Sequence, residues 1–245
     1  MLGELGDSRG PARVLVFIPS YGDLAKVPTL VAQVEALGPA YRALVVDDGS
    51  PEPLSGVLSR GRHLLVRFPA NFGLGVSTNV AFSHALQHGY RALVRIDADA
   101  QHSVEDVPRL VAGLDQMGVD LVVGSRLNQP KDWSTATATR RMVKWYLSSM
   151  AAMLTRGAAP KDVNSGFFAV SARGMRTLNA TSFERFPEPE LFISACRAGL
   201  SVREIPVQQR DREDGRTTLG VLAASALLFR FNVFALLQVF GRRRP

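Results

Sequence analysis

A chain of 245 residues with 46% hydrophobic and 21% charged side chains suits one large α/β domain, with or without a small appendage, and is not composed for extended disorder. Its single cysteine, Cys196, excludes an internal disulfide framework and a cysteine-rich zinc site, and reads as a buried thiol in a reducing cytosol. The net charge of +7 points to an anionic partner; with no aromatic-basic reading surface or DNA-binding pattern, nucleic acid is set aside for anionic lipid and phosphate.

Met1 to Ala12 is polar, holds Gly and Pro, lacks a signal-type apolar core, and reads as a mobile arm on a protein that is not secreted. Beyond it, strands and helices alternate. Arg13 to Pro19 is an apolar run stopped by Pro19 and Gly22, Thr29 to Leu37 has helical spacing, and Ala43 to Val46 is a second run ending in Asp47-Asp48-Gly49-Ser50, which together make a β-α-β unit. His63 to Phe68 then reads as a strand, Gly75 to His88 as a helix, Ala92 to Ile96 as a strand, Val104 to Met117 as a helix and Asp120 to Val123 as a strand. This alternation predicts an α/β fold with an open, mostly parallel sheet flanked by helices.

In such sheets the ligand lies beyond the carboxyl ends of the strands. Three polar segments fall there: Pro19-Ser20-Tyr21-Gly22-Asp23, Asp47-Asp48-Gly49-Ser50 and Asp97-Ala98-Asp99. Asp97 and Asp99 can share one hard cation, Mg²⁺ or Mn²⁺, which completes its shell with water and substrate phosphate; by itself the spacing fits a solvated acidic turn equally well. Asp47 and Asp48 can accept hydrogen bonds from a base edge and ribose hydroxyls while Gly49 turns the chain, or simply form an Asp-Gly-Ser turn. Asn71-Phe72-Gly73-Leu74-Gly75 precedes a helix, where backbone N–H groups suit a phosphate or plain capping. Arg126 can fork onto a phosphate or stand as a surface arginine. Glu190 is either a base or a helix N-terminal carboxylate. Arg210, Arg212 and Arg216 surround Gly215 in a basic loop suited to closing over phosphates.

Two apolar stretches remain. Met142 to Leu154, behind Arg140, Arg141 and Lys144, fits an amphipathic helix in a membrane interface, with core packing as the competing reading. Leu219 to Phe240 has about the length of a span but is interrupted by Arg230, Asn232 and Gln238, which argues for an interfacial helix anchored by Arg242-Arg243-Arg244.

Ile18 to Asp23, Val45 to Ser50, Asn71 to Gly75, Asp97 to His102 and Gly124-Ser125-Arg126 together resemble, in order and spacing, the inverting glycosyltransferases of family 2, which have the GT-A nucleotide-diphospho-sugar transferase fold. Within that family, Asp162 to Phe167 and Arg210 to Thr218 are similar to the polyprenyl-phosphate sugar transferases of the dolichol-phosphate mannosyltransferase group. The resemblance covers residues 13 to 218. It implies a nucleotide site at Pro19, Tyr21, Asp23, Asp47 and Asp48, with Asn71 and Gly73 near the donor. It implies Mg²⁺ or Mn²⁺ on Asp97 and Asp99, Gln101 as a third metal-side contact, and an outer or helix-start place for His102. Asp162 and Ser165 would border the acceptor, Glu190 could serve as base, and Arg126, Arg210, Arg212 and Arg216 would meet phosphates, with Thr217 or Thr218 in the family's serine role. Where the family usually has Asn-Glu, this chain has Gly22-Asp23.

The expectation is an inverting sugar transfer from a nucleoside-diphosphate sugar to a polyprenyl phosphate, by an enzyme peripheral to the cytoplasmic membrane face. The alternatives are a hydroxyl acceptor and a non-catalytic nucleotide-binding scaffold. Its organisation would be an arm (1–12), a catalytic domain (13–218) and a membrane-interface segment (219–245).

Overall fold

Apolar residues at successive positions, not alternate ones, mark strands buried on both faces, and the first such run becomes β1 (Val14–Ser20) at the centre of the sheet. The computed structural model describes residues 13–58, 61–99, 101–125, 138–179, 188–208 and 221–240, without the side chains of 138–140, 221–227 and 239–240. Seven strands pair: β1, β2 (Tyr41–Asp47), β3 (Leu64–Arg67), β4 (Ala92–Arg95), β5 (Leu121–Ser125), β6 (Phe168–Ser171) and β7 (Val202–Pro206). Their order is β3-β2-β1-β4-β6-β5-β7. All run parallel except β6, which lies antiparallel between β4 and β5.

Helices cover both faces. α1 (Val27–Ala36) and α3 (Val107–Met117) pack Val27, Leu30, Val31, Leu110 and Leu114 on the Val14, Val16, Ile18 and Val94 face. The opposite face, with Leu15, Phe17, Leu93 and Val123, is covered by α2 (Leu74–Gln87), α4 (Ala138–Thr155), α5 (Ala172–Asn179), α6 (Glu188–Arg197) and α7 (Val221–Phe240). Prolines adjust the expected helix starts. Pro28 and Pro108 fit the first turns of α1 and α3, where no N–H is needed, so α1 starts ahead of Thr29 and Val104–Asp106 forms a separate 3₁₀ turn.

α4 packs one side into the core, as the core reading of its sequence expects, and leaves apolar residues exposed on another. Leu147, Ala151 and Leu154 enter the core, while Met142, Trp145 and Met153 face solvent. α7 likewise buries Phe231 and Ala235 and exposes Phe229, Val233, Leu236 and Leu237. The polar residues of α7 are used: the Tyr146 hydroxyl donates to Asn232 Oδ1, Asn232 Nδ2 donates to the Leu228 carbonyl at 2.7 Å, and Arg197 donates to the Gln238 carbonyl. Among the described residues no helix is long and apolar enough to cross a membrane.

Gly49 tests how tightly the strand ends are set. Its φ is +73°, and a Cβ there would lie 2.5 Å from the Ala70 carbonyl carbon, whereas Gly38, at φ +107°, has nothing within 4 Å of a built Cβ. Gly38→Ala should cost only the strain of positive φ, about 1–2 kcal/mol. Gly49→Ala should cost clearly more, read as a larger fall in denaturation midpoint; equal losses would mean that the backbone around Ala70 yields freely.

Candidate active site

The turn that ends β2 organises the carboxyl edge of the sheet. Asp47 is fully buried; its Oδ1 accepts the Ser50 N–H at 2.9 Å and its Oδ2 lies 3.5 Å from Arg67 Nη1. Arg67 also donates to the Ser50 carbonyl at 2.9 Å. Asp48 reaches the other way, accepting the Phe72 N–H on Oδ1 and the Gly73 N–H on Oδ2, both at 2.8 Å. Ser50 Oγ accepts the Gly22 N–H at 2.9 Å. One four-residue turn therefore holds the loop after β1 and the loop before α2. Tyr21 and Phe72 stand exposed on those loops, while Pro19, Asp23 and Asn71 are half-buried. The Asp23 carbonyl accepts the Lys26 and Val27 N–H groups at the entry to α1.

Beyond β4, Asp97 Oδ1 accepts Arg95 Nε at 3.2 Å and Nη2 at 2.7 Å, and Asp99 Oδ1 accepts the Gln101 backbone N–H at 3.2 Å. The Asp97 side chain is 33% exposed, and Asp99 and Gln101 are half-buried. His102 is buried with its ring stacked on Phe167, centroids 4.8 Å apart. Because β6 is antiparallel, the chain enters it beside the carboxyl end of β4, bringing Asp162–Phe167 against the aspartates. A Cβ on Gly166 would come within 2.0 Å of Asp97 Oδ2. Ser165 Oγ donates to the Gly124 carbonyl at 2.6 Å, tying the segment to β5. Asp162 is fully buried, with Lys144 Nζ of α4 3.8 Å from its Oδ1 and its own N–H donated to Glu204 Oε1 at 2.9 Å.

α6 begins at the same place. Glu188 Oε1 accepts Arg95 Nη2 at 2.6 Å, and Glu190, in the same first turn, is buried. Sequence patterns assign no part to Arg95 or Glu204, and place Lys144 only in the basic cluster at the start of α4. Arg95 carried the one usable signal, a lone arginine inside the apolar run Ala92 to Ile96. Its guanidinium is 1% exposed and held charged by Asp97 and Glu188 against burial. Arg126, Arg210, Arg212, Arg216, Thr217 and Thr218 lie outside the described residues. The Val207 N–H donates to the Ser125 carbonyl at 3.1 Å. Burial pushes the Cys196 thiol up to about 11, which keeps it protonated and unreactive near neutrality.

The donor set fits a hard divalent cation: two carboxylates on one loop, both partly open to the crevice, supply the oxygen ligands that Mg²⁺ or Mn²⁺ takes alongside substrate phosphate. The described residues gather no group of three or more His, Cys, Asp or Glu suited to a metal.

A mostly parallel sheet with one antiparallel insertion, and acidic motifs at its carboxyl edge, is the arrangement expected of the GT-A fold. The glycosyl transferase family 2 profile matches residues 15–177, and the chain belongs to that family. It is 28% identical over 230 residues to the polyprenol monophosphomannose synthase of Mycolicibacterium smegmatis, covering 86% of this chain and 85% of the relative. It is 29% identical over 220 residues to the undecaprenyl-phosphate mannosyltransferase of Micrococcus luteus, covering 84% and 87% respectively. Among solved structures, glucosyl-3-phosphoglycerate synthase from Mycobacterium tuberculosis, in complex with Mn²⁺, uridine diphosphate and phosphoglyceric acid, superposes with a TM-score of 0.68 at 19% identity, covering 94% of this chain and 79% of that one.

Asp48 gives the sharpest structural test of the edge. Asp48→Ala leaves the Phe72 and Gly73 N–H groups without their acceptors, at about 1–3 kcal/mol for a buried donor. Amide exchange at Phe72 and Gly73 should speed up well before global unfolding does. Unchanged protection there would mean that the loop holds without Asp48.

Proposed function

We propose that this glycosyltransferase moves a sugar from a nucleoside-diphosphate sugar to a polyprenyl phosphate, with inversion and with a divalent cation, at an anionic membrane surface. The observation that carries the reading is the packing of Gly166 on Asp97, which joins the acceptor-side segment to the donor-side carboxylates in one crevice. The two relatives named for sugar transfer to polyprenol or undecaprenyl phosphate support the acceptor class.

The acceptor phosphate oxygen is already ionised, so it can attack the anomeric carbon from the side opposite the diphosphate without losing a proton. The new C–O bond forms as the bond to the diphosphate breaks, and the configuration inverts. What the chain contributes is placement. Tyr21 and Asp48, with the Phe72 and Gly73 backbone, shape the nucleotide end. Asp162 and Ser165 border the acceptor, Glu190 is needed as base only for a hydroxyl acceptor, and the arginines at 126, 210, 212 and 216 counter phosphate charge. Asp97 and Asp99, with Gln101 as a third contact, would hold Mg²⁺ or Mn²⁺, which would supply charge stabilisation for the departing diphosphate.

The membrane reading rests on two outward stripes: Met142, Trp145 and Met153 on α4, and Phe229, Val233, Leu236 and Leu237 on α7. Each set falls on one face of its helix by spacing. Exposed Arg141 beside the first stripe, and the Arg242-Arg243-Arg244 end of the chain, suit anionic headgroups. Residues 219–245 would then be a peripheral anchor at the cytoplasmic face.

The deciding assay incubates the protein with a panel of radiolabelled nucleotide sugars, Mg²⁺ or Mn²⁺ and polyprenyl phosphate, then separates lipid from aqueous products. Label in the lipid phase is expected; label only in soluble glycosides would reject the acceptor. Asp99→Ala should lower transfer by about a hundredfold or more with the fold intact by circular dichroism, since a lost oxyanion-stabilising contact costs about that much. Full turnover in chelator would remove the metal from the mechanism. Trp145→Glu combined with Leu237→Glu should release the protein from phosphatidylglycerol vesicles with little change in melting temperature. Retained vesicle binding would show that these stripes are not the contact.

A further inference from the structure

Arg95 is among the most deeply buried side chains of the sheet, 1% exposed in the middle of an apolar run. It sits 5.8 Å over the Phe168 ring and touches two carboxylates from different elements, Asp97 after β4 and Glu188 at the start of α6. Such an arrangement is a poor way to stabilise a fold, because desolvation of the charges offsets much of their attraction. Nη1 also finds no hydrogen-bond partner among the described residues. Its geometry does something else. Both contacts from Arg95 to Asp97 fall on Oδ1, while Gly166 lies against the whole carboxylate, where a built Cβ would fall 2.0 Å from Oδ2 and 2.7 Å from Oδ1. The same Nη2 that grips Asp97 also grips Glu188. One guanidinium nitrogen thus fixes both the first aspartate of the pair and the turn that carries Glu190.

We propose that Arg95 is a positioning residue for sugar transfer, holding Asp97 in the rotamer that serves the donor-side charge and locking the first turn of α6 to the same point. The proposal rests on the reading of Asp97 and Asp99 as cation ligands. A planar fork with several donors can serve two carboxylates at once; a lysine ammonium, a single point charge on a flexible stem, holds them less rigidly. Removing the charge altogether leaves the Asp97 and Glu188 carboxylates without the cation that both touch.

Two readouts test it: Mn²⁺ binding by electron paramagnetic resonance in the presence of UDP or GDP, and steady-state transfer from the donor that the wild type accepts. Arg95→Met should weaken Mn²⁺ binding at least tenfold, and Arg95→Lys should restore part of that affinity. Glu188→Gln, which loosens α6 but leaves the grip on Asp97, should keep Mn²⁺ affinity within twofold while kcat falls about tenfold at unchanged donor KM. A lower melting temperature for Arg95→Met, with wild-type Mn²⁺ affinity and kinetics per folded molecule, would make Arg95 merely structural and overturn the inference. Should Arg95→Met fail to fold, wild-type Mn²⁺ affinity in Arg95→Lys together with wild-type kcat in Glu188→Gln would overturn it instead. Failure of the wild type itself to bind Mn²⁺ with either nucleotide would reject the cation reading, and this inference with it.

Discussion

The polar edge of this protein hangs on the turn that closes β2. Asp47 turns inward and closes the turn on Ser50, and Asp48 turns outward and takes two N–H groups at the entry to α2. Ser50 Oγ takes a third N–H from the loop after β1. Buried N–H groups must be paired, so three loops are set by two carboxylates and a hydroxyl. Gly49 is the condition for this: the turn passes too near Ala70 for any side chain. Asp47, fully enclosed, works through the turn, whereas Asp48 keeps a place at its rim.

A second constraint is the antiparallel β6. A parallel strand there would bring its preceding loop to the far edge of the sheet. Running the other way, it delivers Asp162–Gly166 to the end of β4, where the absence of a side chain on Gly166 lets the backbone lie on Asp97. The two segments become neighbours through one reversal of strand direction. The ion pair of half-buried Lys144 with buried Asp162 carries that neighbourhood to α4, the helix whose other face presents Trp145 to solvent. A helix with one apolar side in the core and another outside can hold a catalytic domain against a lipid surface without crossing it.

Much of the fold was legible in the chain. Strands buried on both faces are continuous apolar runs, and β1, β2, β4 and β5 announced themselves so, as did α2 and α3 by spacing. β6 is four residues long and runs directly into α5, and β7 mixes Arg203 and Glu204 with apolar positions. Neither carries a periodic signal, because their pairing is decided by strands far away in sequence. The helix α6 carried little signal: Pro189 stands between Glu188 and Glu190, and Glu190 read only as a base or a helix N-terminal carboxylate.

For the site, local sequence determined the residue types and their edges: carboxylates where β2 and β4 end, glycines where the backbone must come close, and the order of motifs that marks the family. It could not determine what each carboxylate touches. Asp47, Asp48, Asp97, Asp162, Glu188 and Glu190 look alike as acids in a string. Their partners separate them, and those partners are set by the packed sheet. Only the tertiary structure decided that Asp47 serves its own turn, that Asp48 holds a loop 24 and 25 residues away, and that Arg95 joins Asp97 to a glutamate 93 residues further on. Contacts across such separations come from strand order and from one reversed strand, and hydrophobic periodicity, which reports only local conformation, carries no record of either.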